Sequence, residues 1–282
     1  MKFKNITKIA VVPMLLYLTV NMLFNNVYVA NYSFILLFIS LLSISFLMFN
    51  EKLLNKIIKK YNNKIKFISL FLTYFVYKQI LLQIVVIIFN ITNLDETLLV
   101  IIDVGISTVY LFFMYYIYQN DIKDNLKKLK TNYRTYLEVA VPSYIIGFIG
   151  MALINLFIII VLKGQEAGNE VEINKLLVNY PLYVLFLASI FAPIVEELIF
   201  RKTLSKLVKN KYLFIVLSGS IFGLLHVIGS YNNLYDLLYI LSYGSLGYAF
   251  AYIYKKTNNI TVPILLHFVH NTTLILIQLI GA

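Results

Sequence analysis

Two adjacent carboxylates, Glu196 and Glu197, stand near the end of an apolar run that begins around Pro181, in Phe191-Ala-Pro-Ile-Val-Glu-Glu-Leu-Ile-Phe-Arg201. An ionised carboxylate costs about 2.5 kcal/mol or more at the centre of a membrane helix, so glutamates there mark a functional site by default. On a helix Glu197 and Arg201 are four apart with the acid first, the favourable order for a same-face ion pair. Glu196 points about 100° away. The two acids therefore divide the work. Arg201 holds Glu197, while Glu196 faces inward, partly desolvated, as a general base for chemistry near neutral pH. Pro193, one turn earlier, should kink the helix and free backbone carbonyls beside the site.

All three histidines follow this stretch, and all fall in apolar runs. Ser218-Gly-Ser-Ile-Phe-Gly-Leu-Leu-His226 sets Phe222 one turn before His226. Its Gly219-x-x-x-Gly223 spacing lets membrane helices approach closely, as a Glu–His contact across helices requires. The last run opens with Thr261-Val-Pro263, where an early proline is tolerated. It then carries His267 and Asn271 one turn apart on one face, with His270 at i+3. Two or three of these groups can converge with Glu196. Random polar contacts would be spread over every apolar run; here they are concentrated in three.

The elements that must position these residues are membrane helices. The chain has 282 residues, 60% hydrophobic and 13% charged, with a mean hydropathy of +0.81; soluble domains carry about 25% charge. Runs of spanning length, about 17–25 residues, occur at 9–24, 29–49, 67–90, 98–118, 137–162, 178–200, 212–229, 236–254 and 262–281. The fold class is all-α, a polytopic transmembrane bundle of about eight or nine spans. Basic residues cluster in alternate loops: Lys2 to Lys8, Lys52 to Lys66, Lys123 to Arg134, Arg201 to Lys211, and Lys255 with Lys256. The other loops hold Asp95, Glu96, Glu166, Glu170 and Glu172. By the positive-inside rule the N-terminus is cytoplasmic. The net charge of +11 follows from these clusters and is no nucleic-acid footprint. Without cysteine there are no disulfides and no thiolate ligands. The first run reads as an uncleaved signal anchor, since no small-residue cleavage site follows it. The composition, rich in Asn, Lys, Ile and Tyr, suggests an AT-rich bacterium and its cytoplasmic membrane.

Taken in order, Glu196-Glu197-x-x-x-Arg201, Phe222-x-x-x-His226 and His267-x-x-x-Asn271 resemble the three motifs of the CAAX-prenyl-protease and bacteriocin-processing (CPBP, or Abi) intramembrane proteases. The resemblance covers roughly 135–282. It implies an endopeptidase with its site inside the bilayer. Glu196 and His226 would activate a water, and His267 and Asn271 would stabilise the oxyanion. Glu197 and Arg201 would orient the first pair, with Phe222 in support. His270 lies outside the motifs and reads as structural. The chemistry is coherent, because peptide hydrolysis needs a base for water and donors aimed at the developing oxyanion. Zinc is the alternative, with Glu196, His226 and His267 as ligands. The His-Glu-x-x-His pattern is absent, and Asn271 is a poor zinc ligand but a good oxyanion donor, so a metal-free glutamate mechanism is favoured.

Residues 1–134 form an N-terminal group of helices with no assigned role, separated by the 119–136 loop from a protease-like core at 135–282. Lys78 and Asp103 lie within spans of the first part and read as bundle contacts rather than a relay. On these boundaries His226 sits near the external end of its span, whereas Glu196 and His267 sit near the cytoplasmic ends of theirs. The offset exceeds about 10 Å at 1.5 Å per residue, so the helix after Arg201 must start later or tilt. Expected partners are the bilayer and a membrane-associated peptide or protein substrate. The competing reading is a non-proteolytic membrane protein that confers bacteriocin immunity or scaffolds an envelope regulator.

Overall fold

A computed structural model describes residues 62–89, 91, 95–228, 230 and 234–281. The apolar runs at 9–24 and 29–49, and the basic residues from Lys2 to Lys60, lie outside the described residues. Among the described residues every regular element is helical. Contacts divide the chain into two units, one ending at Ile91 and one beginning at Thr92. The boundary drawn at 134/135 instead falls inside a helix, within the second unit.

The first unit contributes α1 (Asn62–Ile88). The second opens with α2 (Glu96–Leu156), capped by Asp95, whose carboxylate accepts from the Leu98 amide at 2.7 Å. The loop expected at 119–136 is helical. Its Lys-rich sequence contains neither Pro nor Gly, so nothing interrupts the backbone until Asn132, whose non-helical φ of −117° and ψ of 20° split α2 into two arms. A short amphipathic helix, α3 (Gly168–Asn179), follows. Then come α4 (Pro181–Leu207), α5 (Lys211–Val227), α6 (Tyr239–Thr257) and α7 (Thr261–Gly281).

Among the described residues four helices are long and apolar enough to cross a membrane: α2 with its continuation to Val161, α4, α6 with Tyr235–Leu238, and α7; α5 is apolar but has 17 residues. The outward faces match such a setting. Ile101, Val109, Phe112, Ile146, Leu153 and Ile280 are all more than half exposed, as lipid-facing side chains should be. The core of the second unit gathers Ala140 from α2, Leu246, Phe250 and Ile253 from α6, and Val262 from α7.

Glycine sets the closest packing. A Cβ at Gly219 would stand 2.0 Å from the Tyr248 ring, and one at Gly223 would stand 2.1 Å from the Ile240 carbonyl oxygen. The Gly-x-x-x-Gly face thus seats α5 on α6, not on the Glu-bearing or His267-bearing helices as the spacing suggested. The start of α7 is held from far away in sequence. Asn125 on α2 accepts from the Ile260 amide at 2.6 Å, and its carbonyl accepts from the Asn259 side chain at 2.9 Å. Asn259 in turn caps α7 by accepting from the Thr261 amide at 3.0 Å. This latch fixes the helix that carries His267.

Candidate active site

Helix α4 does not keep a regular α pitch. Residues Leu185–Phe191 and Leu198–Thr203 are π-helical, flanking an α turn at Ala192–Glu197. The amide of Ala192 reaches back five residues to the Leu187 carbonyl. Pro193 has no N–H to offer the ladder and crowds the preceding turn, and a wide turn ahead of it relieves that crowding. Wide π turns of this kind are frequent at functional sites. The helix also runs on to Leu207, about two turns beyond the end assigned at residue 200. Arg201 is therefore no loop charge. It is completely buried, and Glu196 lies deep in the helix rather than one turn from its end. Ending this helix at its first cation had therefore placed Glu196 too near a helix end.

Arg201 is enclosed on all sides. Its Nε lies 3.1 Å from Glu197 Oε2, with both side chains fully buried. The guanidinium stands over the Phe222 ring at 4.8 Å and the Phe250 ring at 5.7 Å, and Nη2 donates to the Gly247 carbonyl at 3.3 Å. Glu197 then bonds His267, whose Nδ1 is 3.1 Å from Oε1. A carboxylate ion-paired to arginine can only accept, so His267 Nδ1 carries the proton and Nε2 is the free nitrogen. The resemblance implied that Glu197 and Arg201 orient Glu196 and His226. The geometry adds His267, which Glu197 holds directly, while Arg201 also lies within electrostatic reach of Glu196.

His226 takes its orientation from its own helix. Nδ1 is 2.8 Å from the Phe222 carbonyl oxygen, which can only accept, so the proton is on Nδ1 and the Nε2 lone pair is free. Phe222 separates the two histidines, with ring centroids 4.5 Å from His226 and 5.7 Å from His267. Asn271 donates to the Ala188 carbonyl at 2.7 Å. That carbonyl belongs to the π segment of α4, which ties α7 to the helix carrying the glutamates.

A cavity of about 330 Å³ is lined by Phe222, His226, His267, His270 and Asn271, together with residues from α2, α3, α4 and α6. Glu196 is buried, at 8% exposed, but is not among the side chains that line it. His270 faces the cavity and bonds the Tyr144 hydroxyl at 2.9 Å. It packs edge-on against Tyr144 and Phe148, which suits a structural part. Among the described residues no three His, Asp or Glu side chains are grouped to hold a metal ion. Glu196, His226 and His267 thus do not form a gathered ligand set in this conformation. Asp103 accepts from the Tyr183 hydroxyl at 2.9 Å, a contact within the second unit.

Two residues to which the sequence assigned no part in the site belong to the cavity. Tyr243 of α6 stacks on His226 with centroids 4.7 Å apart and planes 26° apart. Its hydroxyl donates to Glu170 Oε1 at 3.1 Å. Burial pushes the Glu170 carboxyl above the usual carboxylate range, against the opposing pull of the Tyr243 hydrogen bond.

Comparison with known proteins adds to this geometry. Residues 178–273 match the profile of the family described as type II CAAX prenyl endopeptidase Rce1-like. This stretch is Rce1-like. It contains every residue of the three motifs. The chain is 34% identical over 119 residues to a putative membrane peptidase, YdiL, of Bacillus subtilis, covering 41% of this chain and 45% of that protein. It is 25% identical over 167 residues to the membrane-embedded CAAX protease MroQ of Staphylococcus aureus, covering 56% of this chain and 66% of that one. The matches thus span less than two thirds of either relative. No solved structure matches the chain. The Rce1-like match, the bacterial membrane relatives and the apolar helices make this a multi-pass protein of the bacterial cytoplasmic membrane.

Proposed function

We propose that the protein is an intramembrane endopeptidase that hydrolyses a peptide bond of a membrane-associated peptide or protein. The observation that carries this reading is the pairing of two histidines with fixed tautomers on one cavity, inside an Rce1-like stretch. His226 presents an Nε2 lone pair, the form needed to accept a proton from water. Glu196, buried behind the side chains that line the cavity, is assigned as its partner in activating that water. Opposite them, Asn271 has amide hydrogen-bonding capacity beyond its bond to Ala188. His267 enters the cycle as the imidazolium, its second proton taken from solvent before attack, and donates from Nε2 while Glu197 balances its charge at Nδ1. Together these two supply the oxyanion donors that acyl hydrolysis requires, a contribution of about 3–4 kcal/mol per donor in well-studied cases. Arg201 acts mainly through Glu197, its ion-pair partner.

The cycle runs on side chains alone in this reading. Water loses its proton to the Glu196–His226 pair and attacks the scissile carbonyl. The tetrahedral oxygen is held by His267 and Asn271, and the proton passes to the leaving amine. The test is cleavage of a membrane-peptide substrate by the purified full chain. Glu196→Ala and His226→Ala should each abolish cleavage at normal protein levels, and strong chelators should leave the wild-type rate unchanged. Wild-type cleavage by both variants would overturn the peptidase assignment. Loss of activity on chelation, restored by zinc, would overturn the metal-free mechanism.

A further inference from the structure

The elements on the side of the bundle away from the basic clusters contribute one arrangement that the three motifs do not account for. Gly168 opens α3 against the segment that follows His226. A Cβ there would stand 2.1 Å from the Ser230 carbonyl oxygen, so only glycine lets α3 approach this closely. The approach brings Glu170 into the cavity wall, within 3.1 Å of the Tyr243 hydroxyl. Tyr243 is itself pinned between helices, and its ring lies nearly parallel to the His226 imidazole at 4.7 Å.

The His226 side chain needs such support. Its bond from Nδ1 to the Phe222 carbonyl fixes one edge of the ring. A single hydrogen bond leaves the imidazole free to swing about that edge. Packing faces remove this freedom: Phe222 lies at a 40° tilt on one contact, and Tyr243 lies nearly parallel on the other. The phenol plane is in turn set by where its hydroxyl is tethered, and the tether is α3: Glu170 accepts from the hydroxyl, and the neighbouring Asn169 side chain bonds it as well.

We infer that Glu170 and Tyr243 are positioning residues for His226: the carboxylate tethers the phenol, and the phenol ring holds the imidazole with Nε2 presented to the cavity. The inference rests on the peptidase reading of His226 but concerns residues outside the three motifs. It also gives α3 a task, since the helix that carries Glu170 closes one wall of the same cavity. The helix is thereby linked to catalysis through the hydrogen bonds of the phenol and one stack.

The test uses the full-length chain in detergent or nanodiscs, with two readouts. The first is steady-state cleavage. Glu170→Ala and Tyr243→Phe should each lower kcat about 10- to 100-fold, the scale expected for a displaced catalytic group, with KM unchanged. The double variant should be no worse than Tyr243→Phe alone, because the phenol hydroxyl is the end through which Glu170 acts. Glu170→Gln should retain near-wild-type kcat, since its carboxamide oxygen still accepts from the phenol. The second readout is independent of activity. The chain has three histidines, so ¹⁵N-histidine spectra can resolve the tautomer of each ring. His226 should show a single Nδ1–H form in wild type and in Glu170→Gln, and exchange-averaged signals in Glu170→Ala and Tyr243→Phe. Unaltered His226 signals in both disrupting variants would overturn the inference, as would additive losses of kcat or a loss confined to KM. Altered His226 signals in the disrupting variants, with a wild-type chain that cleaves nothing, would instead overturn the peptidase reading and leave the positioning role standing.

Discussion

The buried ion pair between Glu197 and Arg201 makes a quantitative prediction. Two unit charges 3.1 Å apart, at an effective permittivity of about 20, attract by about 5 kcal/mol before desolvation is counted. Both side chains are fully buried, so neither can turn to solvent if its partner is lost. Removing one member of such a pair costs about 3–5 kcal/mol, whereas replacing both with apolar or neutral groups of similar shape is close to neutral. Glu197→Gln alone should therefore destabilise the chain by about 3–5 kcal/mol, by leaving the Arg201 charge with one carbonyl and two ring faces. Arg201→Met alone should cost a similar amount. The double variant should be no less stable than either single one, which makes the coupling about 3 kcal/mol or more. Denaturation midpoints and unfolding free energies of the four proteins in one detergent would measure this. Additivity to within about 0.5 kcal/mol would refute the view that Arg201 acts through Glu197. The double variant should still be inactive, since His267 would have lost its anionic partner, so stability and activity separate in one experiment.

Two further outcomes follow from the packing and the cavity wall. Gly219→Ala places a methyl 2.0 Å from the Tyr248 ring and Gly223→Ala places one 2.1 Å from a backbone oxygen; each should lower stability by roughly 1–3 kcal/mol, the second more because a backbone cannot swing aside. Gly105→Ala, with nothing within 4 Å, is the control and should not lower the melting midpoint. The raised Glu170 carboxyl predicts a pH dependence of stability. The folded state holds this proton more tightly than the unfolded state does. The stabilisation is therefore fully present below the usual carboxylate range and is lost as pH rises through the folded value. Melting midpoints of wild type against Glu170→Gln should diverge over that interval, and parallel curves would refute the assignment.

The placement of the candidate residues was legible in the sequence where it rested on short spacings within one helix. Glu197 and Arg201 pair as four-residue neighbours, and His226, His267 and Asn271 face one cavity. What stayed hidden depended on geometry that such spacings do not encode. A charged residue reads as the end of a span, so Arg201 marked a loop, although two aromatic rings and a glutamate allow it to stay inside. The 119–136 segment read as a loop because it is polar, yet polarity without Pro or Gly does not stop a helix. The Gly-x-x-x-Gly pattern announced a close contact without naming its partner, which proved to be α6. Glu170 looked like a solvated acid of an external loop. Only the approach of α3, made possible by Gly168, turns it into a buried group beside His226.

The wide turn at Leu185–Phe191 bears on how this chain can be aligned with its relatives. An α-helix advances 100° per residue, and a π turn accommodates a residue that a regular α-helix would have to omit. The motif from Glu196 to Arg201 and the apolar stripe upstream of Leu185 are therefore out of step by about one position. A homologue that closes this turn would present the same glutamates to the same cavity from a helix one residue shorter. Superposing its upstream half on this one without a gap would pair lipid-facing with core-facing side chains all the way back to Pro181. A single-residue gap between Pro181 and Ala192 is thus the form in which evolution would record the loss or gain of this turn.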